Sequence, residues 1–315
     1  TDLTEVPFVT LDPASSTDLD QAFAIDVDGD DVVLSYAIAD VRRFVEPGGA
    51  IDTEAWARGA TIYLPDGRAS LHPPRLAEGA ASLLPDGVRP AVVFRVRVDP
   101  AGLVRLDGVE RAVIRSRAKL AYTTVTLDDL PPGFAELARR SEHAEHERGA
   151  PRIEAPEQEV TATPHGFELR FRPRSPIEWQ SSALSLATNM AVADALAEAG
   201  TGLFRTMEPV DERHLGRLRH TARAFGLEWP ASQGLADFLA TLPTDDPRAG
   251  AFHLVVRRAG GAARYEPYEA GERPWHAAVA ATYCHATAPL RRLGDRYVIE
   301  AAIAVAAGRP VPDRG

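Results

Sequence analysis

Along the first half of the chain, apolar residues recur at every second position or in short runs bounded by Gly, Pro and Asp. That period belongs to β-strands. Residues 23–28 and 32–40 flank Asp28-Gly29-Asp30-Asp31 and read as a hairpin with a solvated acidic tip. Residues 91–99 and 103–116 read as a second hairpin turning at Pro100-Ala101-Gly102, and 158–172 holds a third turning at Pro164-His165-Gly166. Between the first two, Asp52 is placed to cap a short helix ending at Arg58, and Tyr63-Leu64-Pro65-Asp66-Gly67 is a tight loop. Residues 131–156 are charged and Pro-flanked, which predicts an exposed helix and linker.

From residue 176 the period becomes helical. Residues 176–199 read as one long helix ended by Gly200, followed by helical stretches at 212–225, 234–241, 248–259 and 288–307. Strands first and helices second argue for an α+β architecture, with mixed or antiparallel sheets and then packed helices, rather than alternating βαβ units. No internal repeat is visible.

Composition narrows the class. At 315 residues and 45% hydrophobic content, the chain can bury a sizeable core as one large domain or two smaller ones. No stretch reaches the ~18 uncharged apolar residues of a spanning helix, since Asn189 and Asp194 interrupt the Ala-rich run at 183–199. The single Cys284 excludes an intramolecular disulfide, fits a reducing cytoplasm, and reads as a packed core thiol rather than a partner of His285. No signal-peptide pattern opens the chain, and Thr1 at its start predicts a piece of a longer protein. The net charge of −10 has the wrong sign for binding nucleic acid through the overall field. A nucleic-acid partner therefore requires a local arginine-lined groove or help from outside domains.

Candidate chemistry concentrates at the start. Asp12, Asp18 and Asp20 crowd around the turn Pro13-Ala14-Ser15-Ser16-Thr17. Like charges held that close disfavour one another's ionised form, so the cluster suggests shared cations. In an extended segment Asp18 and Asp20 share a face while Leu19 points into the core. Oxygen ligands without paired His or Cys favour Mg²⁺ or Mn²⁺. The alternative is that these aspartates only form the turn and cap local backbone donors.

The longer pattern resembles the opening motif of the catalytic domain of the ribonuclease II and ribonuclease R family, D-x-x-x-x-x-D-x-D-D-A. Asp12, Asp18 and Asp20 stand at its first three aspartates and Gln21 at the fourth. Further anchors follow in order. Ala37-Ile38-Ala39-Asp40-Val41 is similar to H-I-A-D-V, with alanine for histidine. Glu54-Ala55-Trp56-Ala57-Arg58-Gly59, then Thr61-Ile62-Tyr63-Leu64-Pro65, resembles E-A-x-x-R-G-x-x-x-Y-L-P. Ser116-Arg117-Ala118-Lys119-Leu120-Ala121-Tyr122 resembles S-x-A-x-L-x-Y, and Ala187-Thr188-Asn189-Met190 stands where the family has a helix ending in A-N. Tyr283-Cys284-His285-Ala286-Thr287-Ala288-Pro289-Leu290-Arg291-Arg292-Leu293-Gly294-Asp295 resembles Y-x-x-x-T-S-P-I-R-R-Y-x-D.

The resemblance implies a hydrolytic 3′→5′ exoribonuclease acting on single-stranded RNA and releasing 5′-mononucleotides, with Mg²⁺, or Mn²⁺, at Asp12, Asp18, Asp20 and the Gln21 position. It implies catalytic roles for Asp20 and for Arg291 at the scissile phosphate, stacking of Tyr63 on the terminal base, and Tyr122 near a ribose. Arg291 and Arg292 face RNA in this reading. The residues alone make Thr287 a cap for a helix with Pro289 in its first turn, leaving donors for a phosphate, or else make Arg291 a helix-face partner of Asp295. The acids that the family places before A-N are Ser182 and Ala183 here, which removes one ribose contact. OB-type RNA-binding domains are not recognisable in the chain and are expected outside it, in a cytoplasmic monomer. Two rivals stand beside this reading: an RNA-binding member weakened in catalysis by Gln21, and a phosphohydrolase of small nucleotides suggested by the acidic surface.

Overall fold

The computed structural model describes residues 1–64, 67–172, 174–243 and 245–312. Its centre is a six-stranded sheet of β1 (Val9–Asp12), β2 (Gln21–Asp28), β3 (Asp31–Ala39), β6 (Arg89–Val98), β7 (Val104–Ile114) and β8 (Ala118–Ala121). The order is β7-β6-β3-β2-β1-β8, antiparallel except for the parallel pair β1–β8. Strand alternation makes the two faces chemically different. Phe23, Ile25, Leu34, Tyr36, Ile38, Val92, Phe94 and Val96 fill one face; Ala22, Ala24, Ala37, Ala39 and Ala91 line the other. Bulky side chains meet helices on the first face. On the second, the small residues let Phe8, Leu19 and Leu290 press close.

The helical layer is α2 (Phe134–Glu147), α3 (Pro176–Glu198) and α7 (Leu293–Ala306). Ser175 and Glu178 form a reciprocal capping box around Pro176, which fixes where α3 begins. Its Leu184, Ala187, Ala191, Val192 and Leu196 pack into the sheet core. Segment 131–156 departs from expectation: α2 buries Phe134, Leu137, Ala138 and Ala144. Its high charge conceals an apolar stripe, and Gly102 in the β6–β7 turn must stay without a side chain, because a Cβ there would lie 2.3 Å from the Arg140 carbonyl oxygen. A separate small core around Phe238, Phe252 and Trp229 joins α4 (Glu212–Ala224), α5 (Leu235–Ala240) and α6 (Pro247–Ala259).

Other boundaries also differ. In α1 (Ala50–Arg58), Gly49 is the N-cap; Asp52 sits inside the first turn, accepting from Gly48 N at 2.9 Å and from buried Arg296 at 2.5 Å. Two short strands, β4 (Ile62–Leu64) and β5 (Gly67–Ala69), replace the expected loop, whose Pro65 and Asp66 lie outside the described residues. The third predicted hairpin is present as β9 (Glu157–Thr163) and β10 (Gly166–Arg172). Strands β1 and β8 and the short β11 (Leu203–Thr206), β12 (Arg264–Pro267), β13 (Trp275–His276) and β14 (Ala281–Thr282) are four residues or fewer, too short for their pattern to announce them. Helix α7 starts at Leu293, not near 288. Residues 288–292 form turns first, with Arg291 N and Arg292 N both bonded to the Ala288 carbonyl.

Candidate active site

Two leucines bring the ends of the chain together. Leu19 and Leu290 are buried in the same core cluster under the Ala-lined face. Each carries its charged neighbour to one place: Asp20 Oδ1 accepts from Leu290 N at 2.8 Å, and Asp20 Oδ2 faces Arg291 Nε at 3.5 Å. The Asp20 carbonyl also accepts from Ala39 N, pinning it to the end of β3. Asp20 is 7% exposed, and burial pushes its carboxyl up to about 7 although Arg291 and the Leu290 N–H act to lower it.

Asp12 ends β1, half-buried. Its carboxyl is also pushed up to about 7, first by burial and then by the Asp18 charge, against the pull of Arg291 and Lys119. Asp18 accepts from Arg68 at 2.8 Å, and the same guanidinium spans to Glu78 at 2.7 Å. Gln21 is tied differently. Its Nε2 donates to the Thr287 carbonyl at 2.9 Å, while its Oε1 accepts from the Tyr36 hydroxyl. The amide therefore joins β2, β3 and the segment before Arg291.

The carboxylates test for a bound cation in two ways. Asp12 and Asp20 are both pushed up to about 7, in each case first by burial. A bound cation would offset the cost of burying their ionised forms. Among the described residues no three His, Cys, Asp or Glu side chains come together as a complete metal-holding group. Magnesium does not require one: it is commonly held by one or two carboxylates, with water and substrate phosphates completing the octahedron. The donor set fits such an open site, and Gln21 adds no charge to it.

Arg291 and Arg292 diverge. Arg292 is spent on buried Asp295 through two bonds of 2.9 and 2.7 Å, and Asp295 reaches back to Ala288 N at 2.7 Å. That geometry holds the turn open rather than presenting a second cation to RNA. The anticipated Thr287 cap is absent: Thr287 is buried, its hydroxyl accepting from Asn189 at 3.4 Å, and the Leu290 N–H is taken by Asp20. Arg291 remains 40% exposed at the Asp20 carboxylate. Thr61 N donates to the Arg291 carbonyl and Leu293 N to that of Gly59, so the strand leading to Tyr63 is stitched beside Arg291. Tyr63 is 60% exposed, and its hydroxyl feels the charges of Arg291, Asp18 and Asp20. Tyr122 is half-buried, accepts from Ser181 at 3.2 Å, and lies within electrostatic reach of Asp12.

The RNB domain family model matches residues 1–305. The chain belongs to that family. Ribonuclease R of Aquifex aeolicus is 27% identical over 318 residues, 93% of this chain and 44% of its own length. Exoribonuclease 2 of Vibrio vulnificus is 38% identical over 144 residues, 45% of this chain and 21% of its own. Mycoplasma genitalium RNase R, solved in complex with ribose methylated single-stranded RNA, shares the fold at a TM-score of 0.84 and 24% identity, over 96% of this chain and 50% of that one. Yeast Ssd1, a pseudonuclease, shares it at a TM-score of 0.76 and 16% identity, over 99% and 41%. The chain spans about half the length of the relatives it matches.

Several residues beside these carboxylates carry no role in the sequence reading. Tyr36 and Arg68 approach them from strands whose local patterns carry no chemical signature, and Lys119 stands only as an unassigned position of a motif. Asn189 was marked only as part of a motif. Its side chain holds the 283–288 segment in place, accepting from Ala286 N at 2.9 Å and donating to Tyr283 at 3.2 Å. Cys284 lies fully buried, donating to the Asn189 carbonyl at 3.2 Å, as a packed thiol should. No helix of the described residues is long and apolar enough to cross a membrane.

Proposed function

We propose that this RNB domain is the catalytic part of a metal-dependent exoribonuclease that hydrolyses single-stranded RNA from its 3′ end and releases 5′-mononucleotides. The observation that carries the reading is the meeting of Asp20 with Leu290 N and Arg291, because it builds one site from the two motifs that lie furthest apart in the chain. Asp12, Asp18 and Asp20 would hold Mg²⁺, which supplies Lewis-acid polarisation of the phosphate and a more acidic water. The chain's own residues do the rest. Asp20, fixed by the Leu290 N–H, would orient the attacking water. Arg291 places a fixed positive charge where the phosphate becomes more negative in the transition state. Tyr63, exposed at the rim, stacks on the terminal base; such stacking accepts any base. Tyr122 offers its hydroxyl to a ribose 2′-OH. OB-type RNA-binding domains belong to the parts of the protein outside residues 1–315, and the whole is a cytoplasmic monomer.

Gln21 favours a second reading, an RNA-binding domain with reduced catalysis, because the fourth carboxylate is replaced by an amide engaged with Tyr36 and Thr287. One assay separates the two. Mg²⁺-dependent release of mononucleotides from 5′-labelled single-stranded RNA, with a shortening ladder, supports the first. Tight binding without release under the same conditions supports the second.

A further inference from the structure

We propose that Asp52 and Arg296, a buried ion pair beneath the turn of residues 288–292, are positioning residues that hold the Arg291 guanidinium at Asp20. The proposal rests on the exoribonuclease reading and deepens it. Arg296 Nη2 donates to Asp52 Oδ1 at 2.5 Å, which joins the first turn of α7 to the first turn of α1. Both side chains are buried. Beside them, Ala55, Leu71 and Leu293 form a small apolar core edged by Tyr297. His72 is buried next to Leu71 and faces Arg296, Asp52 and the Pro289 carbonyl; burial and the Arg296 charge push its ring down to about 4, which keeps it neutral. Nε and Nη1 of Arg296 are buried without a hydrogen-bond partner among the described residues.

As a source of stability the pair is poor. Two nitrogens of its guanidinium stay unpaired, and apolar side chains of similar volume in place of a buried ion pair are often neutral or stabilising. What an ion pair fixes and apolar side chains do not is direction. That direction bears on Arg291. The 288–292 turn already meets the segment after α1, where Leu293 N donates to the Gly59 carbonyl and Thr61 N to that of Arg291. Those bonds lie close together and act as a hinge. Asp52 stands two helical turns before Gly59, about 10 Å along α1, so its bond to Arg296 is a second attachment that fixes the angle between α1 and the turn. Tyr63 follows on one side of this joint, in β4, and Arg291 stands on the other. With the pair lost the joint can rotate, and at a reacting group a displacement of about 1 Å can cost about 100-fold in rate.

The test separates position from stability. Arg296→Met buries the Asp52 carboxylate without the Arg296 charge and should lower both the melting temperature and kcat. Combining Asp52→Leu with Arg296→Met removes both charges and should restore the melting temperature, while kcat on single-stranded RNA stays about 10- to 100-fold down and KM changes less than about threefold. Arg296→Lys, which keeps a cation for Asp52, should retain most of the kcat. Recovery of kcat together with stability in the double variant overturns the proposal, since the pair then only supports the fold. So does an Arg296→Lys protein that cleaves no faster than Arg296→Met, the arm that decides should the double variant not fold. A crystal structure of the double variant in chelator should show the Arg291 guanidinium shifted from Asp20 by about 0.5–1 Å relative to the unmodified protein. An unmoved guanidinium overturns the positioning role whether or not the unmodified chain cleaves. A displaced Arg291 in a chain that releases no nucleotide supports that role and refutes the catalytic reading.

Discussion

Replacing Asp20 by asparagine should make the protein more stable while removing its activity. Folding raises the Asp20 carboxyl from 3.8 to about 7, so the native state takes up a proton that the unfolded chain releases. Native stability therefore declines as pH rises from about 4 to about 7, and above that range the full cost is present. At about 1.4 kcal/mol per pH unit, the cost is roughly 4 kcal/mol at pH 8 and roughly 2 kcal/mol at pH 5, where the unfolded carboxyl is already ionised. Asparagine escapes it and keeps the acceptor for Leu290 N, but its amide turns a donor toward Arg291, a mismatch of about 1–2 kcal/mol. The expected result is near-neutrality at pH 5 and a gain of about 2–3 kcal/mol at pH 8. Urea unfolding in chelator at the two pH values measures it. Adding Mg²⁺ should then narrow the gap by stabilising only the unmodified protein. A pH-independent difference, or a variant weaker at pH 8, would refute both the charge accounting and the cation site built on it.

Arg291→Ala should lower kcat more than it raises KM, because the charge acts mainly on the transition state; a pure KM effect in steady-state kinetics would reduce it to a positioning residue. Tyr63→Ala should leave a longer undegraded end product on a homopolymer ladder, since a short RNA then loses its terminal stack; an unchanged length removes that role. Gln21→Asp deletes the donor to the Thr287 carbonyl and adds an acid beside Tyr36, so in chelator it should destabilise by about 1–3 kcal/mol. If Gln21 stands at the cation, Mg²⁺ should rescue that loss and activate the variant at lower concentration than the parent; an unshifted metal titration places Gln21 outside the metal's reach.

The long strands and helices were legible because each repeats its period several times: β2, β3, β6, β7 and α3 appear within a few residues of where alternation or helical spacing puts them. Four-residue strands such as β1 and β8 offer too little pattern, and their parallel pairing depends on a crossover that no local signal encodes. In α2, charged residues diluted the stripe that Phe134, Leu137 and Ala138 present to the core. The site was readable residue by residue only where a motif marked it. The motif singles out Arg291, but that Arg292 turns away to Asp295 was not legible, because it depends on where α7 begins. Arg68 and Tyr36 join the site from segments distant in sequence, and nothing in their own neighbourhoods foretells it.

The bond from Leu290 N to Asp20 spans 270 positions, so synthesis delivers the two halves of this site at different times. During synthesis the three aspartates emerge well before the amide that orients Asp20 and the guanidinium beside it. At translation rates of about 5–20 residues per second, that interval lasts roughly 15–55 s. A site whose two halves are made that far apart is incomplete until both have emerged, and a product terminated between them lacks it.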